Sequence, residues 1–321
     1  MSQDRPALGV MLMLGFCCLA PLGDAVAKLL SNTVPLGQLL LLRFAIQGAI
    51  LVPMVAATGR EWRMTPRLFR LAALRTLLHM IGIGAMFTAL RFLPLADAVA
   101  IAFVMPFIML LLGKFVLDEE VGSRRLIACL VGFIGTLLVI QPSFREVGWP
   151  ALWPLVVAVV FALFMLVTRQ VAKDTDPISL QAVSGVMASV VLAPLLLAGH
   201  LLGWGDPLAL VGPDGRGWFL LIAIGTIGTF AHLLMTWSLR YAPSATLAPM
   251  QYLEIPIATL IGWLIFRDLP NGLAALGICI TIAAGLYVIL RERRLARLGD
   301  VPPDVPVSAR KAVVTPHPPE V

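Results

Sequence analysis

Charge is scarce in this chain: 24 Lys and Arg with 18 Asp and Glu make up only 13% of its 321 residues. Soluble globular domains carry roughly 25%, so there is too little polar surface here to cover the protein in water. Cysteine is scarce too. Cys17, Cys18, Cys129 and Cys279 lie inside apolar runs without CxxC or metal-ligand spacing. That excludes a disulfide framework and leaves buried packing as their role. The sequence lacks the phosphate-binding GxxxxGK[ST] loop, so ATP hydrolysis is not expected of it. HExxH and GxSxG are also missing, and no His–acid pair sits close enough in sequence to suggest a membrane transferase. An enzyme is therefore not expected, nor is a cofactor or a metal.

What the chain has instead is apolar length. It is 59% hydrophobic, with mean hydropathy +0.93. A membrane-spanning helix needs about 20 mostly apolar residues, and on that rule ten spans are expected. The first five cover about Leu8–Leu30, Leu36–Ala57, Leu68–Leu90, Ala96–Val116 and Leu126–Ile140. The second five cover about Trp149–Thr168, Ile178–Leu202, Trp218–Leu239, Ala245–Phe266 and Leu273–Leu290. The predicted fold class is an all-α polytopic membrane protein. Its first run could be misread as a cleaved leader, because Ala25-Val26-Ala27 mimics a processing site, but the positive segment before it is weak.

The net charge of +6 does not mark a nucleic-acid binder, because the cations sit in short loops beside apolar segments. Arg60, Arg63, Arg67, Arg70, Arg124, Arg125, Arg169, Lys173 and Arg240 fall on the side of the termini, with Arg291, Arg293, Arg294 and Arg297 beyond the last span. The opposite loops hold Arg91, Arg145, Arg216 and Arg267, one apiece. This asymmetry predicts cytoplasmic termini in a cell inner membrane. The tail from residue 299, Pro- and Val-rich without a period, is expected to be disordered.

A partial repeat links Phe87–Glu119 to Met235–Asp268, 149 residues later. Leu90, Arg91, Pro94, Ala96 and Gly113 return as Leu239, Arg240, Pro243, Ala245 and Gly262. Five spans per half is an odd number, so the second half must enter the membrane in the opposite sense. Two inverted-topology five-helix repeats are thus expected, at 8–140 and 149–290, between a short N-terminal segment (1–7) and a basic tail (291–321). Inverted repeats are a common construction of secondary transporters, with substrate near the midplane.

At this point the sequence resembles the EamA branch of the drug/metabolite transporter superfamily. The resemblance rests on the two five-span halves and on the Ala-Leu-Arg-Phe-Leu-Pro-Leu-Ala-Asp-Ala turn at 89–98 with its partner Ser-Leu-Arg-Tyr-Ala-Pro-Ser-Ala at 238–245. Leu253-Glu254-Ile255-Pro256 is similar to a Glu-x-Pro element of the ninth span, and Asp118-Glu119-Glu120 to the acidic stop after the fourth. Arg267-Asp268 departs from the pattern, which more often has Glu there. The resemblance implies a carrier of amino acids, amines, nucleotide-derived metabolites or vitamins, with riboflavin and S-adenosylmethionine among the specific options. The rivals are a passive channel or non-transporting scaffold and, more remotely, a membrane-embedded enzyme.

Ionisable groups inside the apolar runs are the candidate site. Each costs about 2.5–3.5 kcal/mol at mid-bilayer, so Asp24, Lys28, Arg43, Arg75 and Glu254 must pair, face water or bind something. Asp24 and Lys28 are four apart and can pair on one helix face. Asp24 and Arg43 each lie about 10 Å from the far-side ends of their spans, either as a helix–helix staple or as a cavity wall meeting a charged or zwitterionic substrate. Lys28 and Arg75 could instead snorkel to the interface. Glu254 lies near the midplane opposite Met105 in the repeat, and Pro256 is expected to free the Tyr252 carbonyl and kink the helix. That combination suggests a proton or cation relay or an amine site. Gln251, Tyr252 and Trp237 could supply hydrogen bonds and an aromatic wall, although Trp237 also suits an interfacial belt. His79 and His232 read first as interhelical donors and second as functional groups. Asp97 is expected to pair with Arg91. Small residues Gly132, Gly135, Thr136, Gly277, Thr281 and Gly285 mark close packing in spans five and ten, as scaffold or homodimer contact.

Overall fold

The computed structural model describes residues 5–105, 107, 108, 111, 112, 123–242 and 247–299. Ten α-helices have both ends among the described residues: α1 (Pro6–Leu30), α2 (Leu36–Ala57), α3 (Pro66–Leu90), α4 (Leu95–Ala102), α5 (Ser123–Val147), α6 (Trp153–Ala172), α7 (Pro177–Leu201), α8 (Gly215–Tyr241), α9 (Glu254–Phe266) and α10 (Gly272–Gly299). Seven of them (α1, α2, α3, α5, α6, α7 and α8) are long and apolar enough to cross a membrane, and α9 and α10 carry shorter apolar runs. Helix is the form such runs must take, because lipid offers the backbone no hydrogen-bond partner. The starts are set by side chains. Thr65 accepts from the Leu68 N–H, Asp176 from Ile178 and Ser179, and Asp214 from Gly217. Two of these caps precede Pro66 and Pro177 at the first helical position, where no N–H is needed.

The bundle shows its duplication in its contacts. α1 packs on α8 as α6 packs on α3; α2 packs on α8 as α7 packs on α3; α1 packs on α9 as α6 packs on α4. The pairs α2–α7, α4–α9 and α5–α10 lie on the axis and are their own mates. Exchanging each helix with the one five later therefore reproduces the principal packing, as an inverted repeat requires.

Two spans are broken at equivalent places. α4 ends in a turn at Phe103–Val104, and α9 is preceded by a 3₁₀ segment, Ala248–Leu253. In the 149-residue register Phe103 and Tyr252 correspond, and their rings lie 5.4 Å apart. This corrects the expectation of a kink at Pro256. The α-helix begins at Glu254, so Pro256 sits in its first turn, where its missing N–H has no bond to lose. The fifth span is also longer than expected. α5 continues to Val147 through Pro142 and places Arg145 in its last turn.

α5 and α10 close one end of the bundle by glycine contact. A Cβ built on Gly135 would lie 2.5 Å from Thr281 Oγ1 and 2.7 Å from the Gly277 carbonyl, and Thr281 donates to the Gly132 carbonyl at 3.3 Å. These small faces are used within the chain. The acidic stop Asp118-Glu119-Glu120, the repeat positions Gly113, Pro243 and Ala245, the side chains of Arg124, Arg125 and Cys129, and the tail beyond residue 299 lie outside what is described.

Candidate functional site

A cavity sits between the two halves. Its walls enclose about 830 Å³, counting the part continuous with solvent. α1 contributes Phe16, Gly23 and Asp24, and α2 contributes Arg43. α3 and α4 supply Gly82, Met86, Phe87 and Val99, with Phe103 and Met105 beyond α4. The second half supplies Phe161 from α6, Gly228 and His232 from α8, and Gln251 and Glu254 from the broken ninth span. Most of these positions lie between the middle of their helices and the side opposite the termini. On the terminal side, among the described residues, Met13, Cys17, Met105, Phe164, Met165, Met235, Leu239 and Met250 pack into an apolar plug. Polar contacts secure that plug: Ser238 Oγ donates to the Gly9 carbonyl at 2.8 Å, Arg169 to the Leu239 carbonyl, and Arg60 pairs with Asp176.

Asp24, Arg43, Gln251 and Glu254, all expected from the sequence, line this one cavity. Asp24 and Arg43 face it without forming an ion pair. The Arg43 guanidinium, with 2% of the residue exposed, bonds His232 Nδ1 at 3.0 Å and Gln47 Oε1 at 3.4 Å, and crosses Phe44 at 4.8 Å. It fits because α8 offers Gly228 at the crossing: a Cβ there would lie 3.0 Å from Arg43 Nη2. Glu254 opens α9 at the end of the 3₁₀ segment, with the Cys17 thiol beside its carboxylate. Gln251 is buried, donating to Met165 Sδ at 3.3 Å, with its Oε1 unpartnered.

Arg75 does not snorkel. It is fully buried one layer toward the terminal side, donating to Thr168 Oγ1 and Ser184 Oγ at 2.9 Å and Thr236 Oγ1 at 3.3 Å, over the Phe164 ring at 4.6 Å. Hydroxyls from α6, α7 and α8 make this cheaper than reaching the interface, because each offers a lone pair where the membrane offers none. A buried chain runs from it to the cavity: Gln181 donates to Thr236 Oγ1, Gln47 to Gln181, and Arg43 to Gln47. His79 is fully buried between these layers, stacked on Phe164 at 4.6 Å and beside the His232 ring at 4.3 Å, with neither nitrogen hydrogen-bonded.

Four other residues point elsewhere. Lys28 pairs not with Asp24 but with Asp268 at 3.4 Å and the Leu93 carbonyl at 2.8 Å, near the far-side end of α1. The end of a helix brings the neighbouring loops closer than the residue four earlier. Tyr252 packs against α10 at Gly285 and faces Phe103, away from the cavity, because the 3₁₀ turn directs it outward while Gln251 turns in. Trp237 packs against the cluster of Leu51, Val55, Ile178, Ala182 and Leu233 between α2, α7 and α8. Asp97 accepts from Ser143 on α5 at 3.0 Å, whereas Arg91 reaches the Val34 carbonyl at 3.5 Å, so the expected pair does not form. The sequence underweighted His232 and gave no sign of Phe16, Phe161 or Gly228 as cavity residues. Each looks like ordinary packing until a neighbouring helix is placed against it.

Comparison with known proteins agrees with this architecture. The EamA-like transporter family matches residues 7–141 and 148–291, one copy per half. A riboflavin transporter of Brucella anthropi is 27% identical over 79% of this chain and 88% of its own. An S-adenosylmethionine uptake transporter of Rickettsia prowazekii is 24% identical over 85% of this chain and 89% of its own. A pseudopaline exporter of Pseudomonas aeruginosa is 25% identical over 85% and 90%. A crystal structure 20% identical in sequence superposes with TM-score 0.66 over 91% of this chain and all of that one, which supports the fold. A doubled family match on a doubled helix bundle, with transporters as relatives, makes this a multi-pass membrane metabolite transporter and not an enzyme: the chain belongs to the EamA-like transporter family.

Proposed function

We propose that the protein is a secondary active carrier that moves a small polar organic metabolite across the inner membrane by alternating access. The observation that carries this reading is the cavity between two halves whose contacts interchange, closed by an apolar plug on the terminal side. Interchangeable contacts mean that the reverse arrangement, with the plug on the far side, costs a similar packing energy. With both termini cytoplasmic, the described state has its cavity toward the outside. The plug argues against a passive channel.

The substrate is an amino acid, an amine, a nucleotide-derived compound or a vitamin such as riboflavin; the relatives are named for riboflavin, S-adenosylmethionine and pseudopaline, with uptake and export both among their names. Glu254, at the break in the ninth span and in the cavity wall, is the coupling group if protons drive the cycle. One chain completes the cavity, so a homodimer through α5 and α10 would add no residue to it. Proteoliposomes holding the purified chain should take up a member of a labelled metabolite panel, faster under an imposed pH gradient. Unchanged flux in Glu254→Gln protein would sink the coupling role. Reporter fusions that put the Arg60–Arg70 loop outside would reverse the orientation.

A further inference from the structure

The cavity is lined by groups of both charges, Arg43 against Asp24 and Glu254. On one side stand Arg43 and, behind it, Arg75, two buried guanidiniums near enough to feel each other's charge and with no carboxylate bonded to either. On the other stand Asp24 and Glu254, neither in an ion pair among the described residues. Buried charges without a contacting counter-ion are expensive; Asp24 and Arg43 are near enough to attract each other, yet they form no ion pair.

The neutral groups repeat the pattern. A guanidinium only donates, so His232 Nδ1 accepts from Arg43, and we assign the imidazole proton to Nε2. That N–H has no partner. The Gly228 carbonyl, 3.0 Å from the same Nδ1, belongs to the alternative tautomer, which Arg43 disfavours. Beside Glu254, Gln251 spends its amide on Met165 and leaves its Oε1 as an unpartnered acceptor. One unsatisfied donor thus adjoins Arg43, and one unsatisfied acceptor adjoins Glu254. Isolated buried polar groups of this kind are rare in folded proteins unless something fills them.

We infer that the substrate is a zwitterion, its carboxylate held by Arg43 and the His232 Nε2–H and its cationic nitrogen held by Asp24, Glu254 and the Gln251 carbonyl. The apolar surround of Phe16, Met86, Phe87 and Phe161 accommodates its side group. This inference rests on the transport reading and narrows it: an uncharged ring compound would leave both walls unsatisfied. Arg75 acts as a positioning residue, adding positive potential behind Arg43 and holding the Gln47–Gln181–Thr236 chain that orients it.

The test uses the full chain in proteoliposomes and in detergent. Flux and ligand-induced thermal stabilisation are measured with S-adenosylmethionine, decarboxylated S-adenosylmethionine, methylthioadenosine, riboflavin, and free amino acids paired with their decarboxylated and deaminated analogues. At least one compound bearing both groups should bind and cross, and deleting either group should weaken it by roughly 10- to 100-fold. Arg43→Lys and Arg43→Gln should abolish the preference for the carboxylate while keeping that for the ammonium. Asp24→Asn and Glu254→Gln should do the reverse. The ratio between paired analogues reports the site even where a variant folds in reduced yield. Transport of riboflavin with no zwitterion recognised would overturn this inference and leave the carrier intact. Equal affinity for a zwitterion and its decarboxylated analogue would overturn it too. If nothing on the panel binds or crosses, the inference fails and the transport reading loses its support as well.

Discussion

In the first half the break in the fourth span is followed by Met105; in the second the break in the ninth is followed by Glu254. The two positions correspond in the repeat, both line the cavity, and both follow an aromatic residue, Phe103 or Tyr252, at the turn. A second pair differs in the same way. His79 of α3 corresponds to Gly228 of α8; the histidine fills its crossing with a stacked ring, while the glycine leaves room for Arg43. A duplicated scaffold therefore needs symmetry only where its helices slide past one another. At the cavity the two copies are free to differ, and each asymmetry here places a polar group in one half and an apolar or empty space in the other.

Moving the acid should break this comparison most severely. Glu254→Met makes the halves alike, and its flux should fall by about two orders of magnitude, the scale of a lost charge-assisted contact. Adding Met105→Glu restores the net charge at the mirrored position. Recovery of flux in that double variant would show that the cavity counts charge without regard to its wall. Next in size is Gly228→Ala. The added methyl meets the Arg43 guanidinium at 3.0 Å, so about 1–3 kcal/mol of stability should be lost through overpacking, visible as a lower melting temperature in detergent with a flux defect larger than the melting shift implies.

The α5–α10 contact supplies a control on the symmetric scaffold. Gly277→Ala puts a methyl well inside contact distance of the Gly135 carbonyl, rigid backbone that has to move; it should cost at least the upper end of the same range, about 3 kcal/mol of stability, while leaving the selectivity between paired analogues unchanged. A shift in selectivity would mean that this pair moves with the cavity. The smallest effect belongs to Lys28–Asp268, with side chains 18% and 41% exposed. Exposed pairs contribute about 0–1 kcal/mol, so a double-mutant cycle with Lys28→Gln and Asp268→Asn should give a coupling energy no larger, and flux within a few-fold of the parent.

Much of the fold was legible because the membrane leaves a chain few options. Ten apolar runs, an odd number per half and a 149-residue echo are enough to specify two inverted repeats, since apolar length and backbone satisfaction are properties of a segment by itself. The charges that line the cavity were legible for the same reason: Asp24, Arg43 and Glu254 stand out wherever they sit, being costly in lipid. Direction was not legible. Lys28, Tyr252 and Trp237 occupy promising positions in the chain and face away from the cavity, while His232 and Gly228 resemble packing and form its wall. The start of α9 was hidden as well, because a 3₁₀ turn before Glu254 depends on Tyr252 docking against Gly285 of a different span.

The sequence by itself determined that these residues cross a membrane, how many times, and which of them carry a charge too expensive to leave unused. Only the tertiary structure decided that Arg43 and Arg75 bond no carboxylate and that Asp24 and Glu254 share one cavity with Arg43. Pairing between helices depends on rotation and depth, and a change of one residue in either turns a side chain by about 100°, from the cavity to the lipid.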